Sequence, residues 1–280
     1  MLPCIREWAP STSSADRVKK QDSACKGGVS LFQEGTMIFL TSSPTGPLDG
    51  SYQVLGMDEA NSFRENLKKR WTYGPVLMIT AFPDDAGANA QMRSFFAHAL
   101  ADSGLPCSRF DLWDRAFPSL SKDALSEYTA IFLGGGHVPT QHAFFEEIGL
   151  REKLVNFPGI LIGISAGSMN AATTVYAQPE LPGESTDPAY LRHFPGLNLT
   201  KTNILPHYQM VKDHWLDGKR LFEDITYPDS HGHRFLVLTD GSYLLIENGT
   251  ETVYGLAYSL SDGQLVKICS EGQCAPWAAC

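Results

Sequence analysis

Gly159-Ile160-Leu161-Ile162-Gly163-Ile164-Ser165-Ala166-Gly167-Ser168-Met169-Asn170 is the stretch from which the fold can be read. Residues 159–164 form a short apolar run behind Pro158, the pattern of a strand buried on both faces of a parallel sheet. Residues 165–177 then read as a helix. Between the two, Gly163-x-Ser165-x-Gly167 sets a serine among small residues that let a strand turn sharply into a helix, leaving the hydroxyl exposed. The helix N-terminus behind it offers free N–H groups and a positive dipole end to an oxyanion. A plain packing turn would use the same small residues, and the strand-before, helix-after context favours the chemical reading.

One unit earlier, residues 128–133 form another buried-strand run that ends in Gly134-Gly135-Gly136-His137. Three glycines at a strand end allow close approach of backbone to a ligand; a flexible strand-to-helix turn is the alternative. Strands are also expected at residues 37–41, 75–81 and 110–113. Helices are expected at 58–71, 91–101, 122–127 and 139–155. Strand alternating with helix at this spacing means a parallel sheet with helices on both faces. Ligands of such sheets lie beyond the carboxyl ends of the strands, where Ser165 and the glycines fall. A helix around 216–225 and strands at 235–238, 242–247, 253–257 and 265–268 follow. Asn248-Gly249 and Asp262-Gly263 are hairpin signals, so antiparallel strands are appended to the sheet. Residues 1–36 lack apolar periodicity and are expected to be a poorly ordered extension to one α/β domain over residues 37–280.

A net charge of −9 argues against nucleic acid or an anionic membrane as partner. No run approaches the ~18 apolar residues of a membrane-spanning helix, and Met1 to Trp8 lack the basic start and apolar core of a signal peptide, so a cytoplasmic protein, monomer or homodimer, is expected. The six cysteines include no C-x-x-C pair and none at the elbow, which points to free thiols and away from a cysteine nucleophile. His231-Gly-His233 lacks spaced acidic or thiol ligands, so neither metal nor cofactor is expected.

A serine needs a base within hydrogen-bond reach, itself oriented by a third group. Of eight histidines, His207 follows the apolar run Asn203 to Pro206 and is expected at a strand end beside Ser165. His98 and His142 lie on helices, and His214 is the weaker candidate.

The glycine turn, the Ser165 elbow, Leu205-Pro-His-Tyr208 and the Thr239-Asp-Gly-Ser-Tyr243 turn together resemble the aspartyl dipeptidase (peptidase E) and cyanophycinase family, from about Met37 to about Ser270. The resemblance implies a three-layer α/β/α fold of the class I glutamine-amidotransferase kind, with a doubly wound, mostly parallel sheet. It implies a serine peptidase acting on dipeptides or short peptide-like amides through an acyl-enzyme, with cleavage after Asp or at β-aspartyl bonds. Ser165 and His207 would be nucleophile and base. The acid would lie fifteen residues past the serine, at Glu180, with Glu184 as the alternative. The oxyanion hole would be the N–H groups of Gly135 and Ala166. His137, which stands where aspartyl dipeptidase has Asn, would hold substrate with Gln141 and Glu184; Arg192, Lys201 and Lys212 are the nearby cations. An α/β-hydrolase esterase, or a binding protein of the same fold that has lost catalysis, are the competing readings.

Overall fold

The computed structural model describes residues 37–46 and 56–278; the expected N-terminal extension lies outside them. The elements that build the frame are β1 (Met37–Thr41), α1 (Phe63–Lys68), β2 (Pro75–Ile79), α2 (Ala86–Asp102), β3 (Arg109–Trp113), α3 (Lys122–Leu125), β4 (Ala130–Leu133), α4 (Val138–Glu147), α5 (Leu150–Lys153), β5 (Ile160–Ile164) and α6 (Ala166–Asn170). After them come β6 (Thr174–Tyr176), β7 (His193–Pro195), β8 (Asn203–Leu205), α7 (Tyr208–Val211), β9 (Trp215–Leu216), β10 (Lys219–Arg220) and α8 (Tyr227–Asp229). The chain ends in β11 (Arg234–Leu238), β12 (Tyr243–Glu247), β13 (Thr250–Tyr254), β14 (Ala257–Ser261), β15 (Gln264–Cys269) and β16 (Cys274–Trp277).

The main sheet has eight strands in the order β16-β13-β12-β1-β5-β4-β2-β3. The five from β1 to β3 are mutually parallel, and β12, β13 and β16 add antiparallel strands on the β1 side. Side chains alternate across a strand, and here both sides are covered. Ile38, Leu40, Ile131, Leu133 and Leu161 enter one core, while Phe39, Phe132, Ile160 and Ile162 enter the other. That accounts for continuous apolar runs where a half-exposed strand would alternate with polar residues.

The C-terminal strands do more than extend this sheet. A second, four-stranded sheet runs β15-β14-β11-β8, so the chain moves from one sheet to the other between β11 and β12, β13 and β14, and β15 and β16. β8 and β11 are parallel within it. Ile204, Leu236 and Leu238 face the core shared with Leu244, Ile246 and Trp277 of the main sheet; Leu205, Phe235 and Val237 face Ala166 and Met169 behind the elbow. The second sheet is thereby wedged against α6.

Three expected helices come out differently. The one after Ser165 stops at Asn170, because β-branched Thr173 to Val175 favours an extended chain and the carbonyls of Asn170 and Ala171 accept from Leu197 and Leu199 instead. The helix over 139–155 is broken by Gly149 at φ +61°. At 216–225, Asp217 and Gly218 both have positive φ and close a hairpin between β9 and β10, followed by a π-helical stretch, Leu221–Thr226. The Asp-Gly dipeptide is itself a hairpin signal.

Candidate active site

At the carboxyl end of β5 the chain turns through Ser165, at φ 49° and ψ −110°. This conformation is costly for a residue with a side chain, and close packing on both sides holds it. A Cβ on Gly163 would lie 2.9 Å from Ser168 backbone, and one on Gly167 would lie 2.1 Å from the Leu133 carbonyl oxygen. Glycine is therefore required at both flanks of the serine. Ser165 N–H donates to the carbonyl of Thr41 at the end of β1, and the Ser168 hydroxyl donates to the same oxygen.

His207 follows β8 in the left-handed region, at φ 57°. Its Nε2 is 2.8 Å from Ser165 Oγ. Its Nδ1 is 2.6 Å from Oδ1 of Asp240, in the turn between β11 and β12. The Asp240 side chain is 1% exposed, so it meets the imidazole out of water. Ser42, just past β1, ties the pieces together: its hydroxyl accepts from His207 N–H at 2.8 Å and donates to Asp240 Oδ1 at 2.7 Å. With Asp240 accepting the Nδ1 proton, Nε2 is left free to accept from the serine.

The carboxylate on His207 is thus that of Asp240, which corrects the expectation of Glu180 or Glu184. Both glutamates lie on the loop after β6, whereas Asp240 follows β11, the parallel neighbour of the strand β8 that leads into His207. Glu184 is used otherwise. Its Oε2 accepts from the N–H groups of Glu180 and Leu181, and its Oε1 lies 2.8 Å from His137 Nε2. Asp217 fastens the same loop by accepting from Gly183 N–H and from the Ser185 N–H and hydroxyl. Glu180 stands beside Ser165 and His207 in the wall of one cleft of about 480 Å³. It keeps accessible area on the open side of that cleft, yet the protein crowds its carboxyl. Burial, and then the charge of Glu184, push its pKa up to about 7.

Gly135 sits against the serine, where an added Cβ would lie 3.4 Å from Ser165 Cβ. Among the described residues, neither Gly135 N–H nor Ala166 N–H has a protein acceptor. Gln141 proves to be no part of the cleft. It is fully buried; its Nε2 donates to the Gly134 carbonyl at 2.6 Å and its Oε1 accepts from Asn170. That pair braces the glycine turn against the helix after the serine. Arg192 is paired with Asp229 and Lys212 with Asp213. His233 stacks on His193 and Phe235, and no group of three or more His, Cys, Asp or Glu among the described residues could hold a metal ion.

Asp240 was open to sequence reading through the Thr239-Asp-Gly-Ser turn, which ends an apolar strand just as the segments before Ser165 and His207 do. What the sequence hides is that β8 and β11 are parallel neighbours, which brings residues 33 positions apart to one edge.

A hydroxyl, an imidazole and a buried carboxylate in hydrogen-bonded series, on an α/β fold with glycine-turn N–H groups beside the hydroxyl, define the hydrolase class. Within that class the sequence profile of peptidase family S51 matches residues 62–254, more than half of the chain and a span that includes Ser165, His207 and Asp240; the chain belongs to that family and is a peptidase. The structure is similar to the crystal structure of a peptidase from an acI-B1 Actinobacterium, with TM-score 0.56 and 14% identity over 87% of this chain and 99% of that one, a likeness of fold. A candidate peptidase E protein from Listeria monocytogenes EGD-e aligns with TM-score 0.47 and 17% identity, over 83% of this chain and 98% of that one. No curated protein matches. Among the described residues, no helix is long and apolar enough to cross a membrane.

Proposed function

We propose that the protein is a serine peptidase that hydrolyses dipeptides or short peptide-like amides through an acyl-enzyme on Ser165. The observation that carries this reading is the line Ser165 Oγ, His207, Asp240, with contacts of 2.8 and 2.6 Å. Ser165 Oγ attacks the scissile carbonyl and its proton passes to His207 Nε2. Asp240 holds the ring and offsets the imidazolium charge. The tetrahedral oxyanion is met by the N–H groups of Gly135 and Ala166, fixed donors that need no reorganisation as charge develops. Collapse expels the amine, which takes the proton from His207. Water, deprotonated by the same imidazole, then hydrolyses the ester and returns the serine.

The chain order Ser, His, Asp differs from the Ser, Asp or Glu, His order of α/β-hydrolases, which disfavours the esterase reading. The assembled donors and acceptors disfavour a silent binding protein. The acidic preference implied by the resemblance is weaker, since a carboxylate in a dry pocket needs a cation or several N–H groups, and among the described residues the cleft lining includes neither Arg nor Lys. The test is a dipeptide panel read by mass spectrometry beside p-nitrophenyl esters. We expect dipeptide cleavage by the wild type and a loss on the order of 10⁴-fold or more in Ser165→Ala. Retention of more than a tenth of the activity would end the serine reading.

A further inference from the structure

The cleft that contains Ser165 combines apolar and acidic lining. Met92, Phe95 and Phe96 project from α2, and Ile164 lies beside the serine. Phe95 is 47% exposed although it packs edge-on against Phe96 at 5.3 Å, so an aromatic surface is left open toward the cleft. Glu180 lines the same cleft. Among the described residues no hydrogen bond or ion pair involves its carboxylate, while its own N–H is held by Glu184. The loop that presents it is further held by Asp217 and by Lys219 Nζ, which donates to the Ser185 carbonyl. A carboxylate mounted on a tethered loop, without a partner among the described residues and in the lining of a cleft that also has an aromatic surface, is available to a ligand cation. Its negative charge is costly there, as the upward pull of burial and of Glu184 indicates, and a ligand cation would offset that cost.

Resting on the serine peptidase reading, we propose that Glu180 binds the free α-ammonium group of the substrate and that the Met92, Phe95 and Phe96 wall takes an apolar or aromatic side chain on the same residue, so that the enzyme removes N-terminal Phe, Leu or Met in preference to Asp. The two groups sit on the same α-carbon next to the scissile carbonyl, and the cleft offers their complements beside the nucleophile. An N-terminal Asp fits this arrangement poorly. Its side-chain carboxylate would meet apolar carbon and the like charge of Glu180. Glu180 is a binding residue in this account, which explains its place in the cleft after the imidazole has taken Asp240 as partner.

Binding is tested separately from turnover by titrating the Ser165→Ala variant calorimetrically with Phe-Ala, Asp-Ala and N-acetyl-Phe-Ala. Phe-Ala should bind at least tenfold more tightly than either of the others, since burying the side chain is worth on the order of tenfold or more. The double variant Ser165→Ala/Glu180→Gln should lose tenfold or more for Phe-Ala and little for the acetylated peptide. In the wild type background, Glu180→Gln should raise KM for Phe-Ala by a similar factor with a smaller change in kcat. Equal or tighter binding of Asp-Ala would overturn the apolar assignment, and undiminished Phe-Ala binding without the Glu180 charge would overturn the ammonium site. Failure of the serine reading shows up elsewhere, as turnover that persists in Ser165→Ala.

Discussion

Asp240 and Glu180 are two acidic residues near one histidine, and the distances divide their work. Asp240 Oδ1 lies 2.6 Å from Nδ1, with the Ser42 hydroxyl on the same oxygen. Replacing it by Asn removes the charge that offsets the imidazolium and adds an NH2 donor that can face Nδ1 and favour the wrong tautomer, so Asp240→Asn should lower kcat by roughly 10³- to 10⁴-fold with little change in KM. Glu180→Gln should show the reverse emphasis, in KM. Parallel steady-state kinetics on the two variants check this, and the opposite ranking would return Glu180 to the role of acid. Glu180 also marks stability. Its folded pKa, about 7, lies above the ordinary 4.5, so the folded state holds this proton more tightly than the unfolded chain does. The associated stability is full below pH ~4.5 and is lost as pH rises through ~7. Gln stays neutral throughout, so the Tm of Glu180→Gln relative to wild type should climb between pH 5 and pH 8. Differential scanning calorimetry reads this directly, and a flat difference would mean that the carboxyl is not crowded as described.

The elbow is where local sequence and tertiary packing agree most closely. A Cβ at Gly167 would come within 2.1 Å of the Leu133 carbonyl, a clash with backbone that cannot be relieved by a rotamer. Gly167→Ala should therefore lower both Tm and kcat, checked by calorimetry and dipeptide turnover, whereas Gly218→Ala, at a positive-φ turn with nothing within 4 Å of an added Cβ, should cost only about 1 kcal/mol of backbone strain. The strand–elbow–helix unit was legible in the sequence because each of its requirements is local: an apolar run, then small residues at fixed offsets. The glycine turn and His207 were legible for the same reason. The acid has a local signal only in the Thr239-Asp-Gly-Ser turn, and its pairing with His207 depends on which strands are neighbours. Glu180 is what the family resemblance implies, and only the pairing of β8 with β11 brings Asp240 to the imidazole. Gln141 misled in a similar way, since closeness in sequence to the glycines does not reveal that its amide points inward to Gly134 and Asn170.

Across the whole molecule, the site is shared between two sheets. Ser42 and Ser165 come from the main sheet, His207 and Asp240 from the second, and the two are welded by a common core. Trp277, on the last strand of the main sheet, illustrates the weld: its Nε1 donates to Thr202 Oγ1 just before β8, and the Arg234 guanidinium lies 3.9 Å over its ring. Trp277→Ala should cost about 3–5 kcal/mol and lower Tm by roughly 6 to 15 °C, measured by thermal unfolding. Alternation of the C-terminal strands between sheets has no signal in the sequence, because a hairpin turn says that two strands pair and not which sheet they join. These distant segments converge to activate one hydroxyl, which a fluorophosphonate probe followed by intact-mass and peptide-mapping spectrometry can read out. A single adduct is expected on Ser165, absent in Ser165→Ala and strongly slowed in Asp240→Asn; an adduct that persists in Ser165→Ala, or an unmodified wild-type protein, would rule out Ser165 as the activated nucleophile.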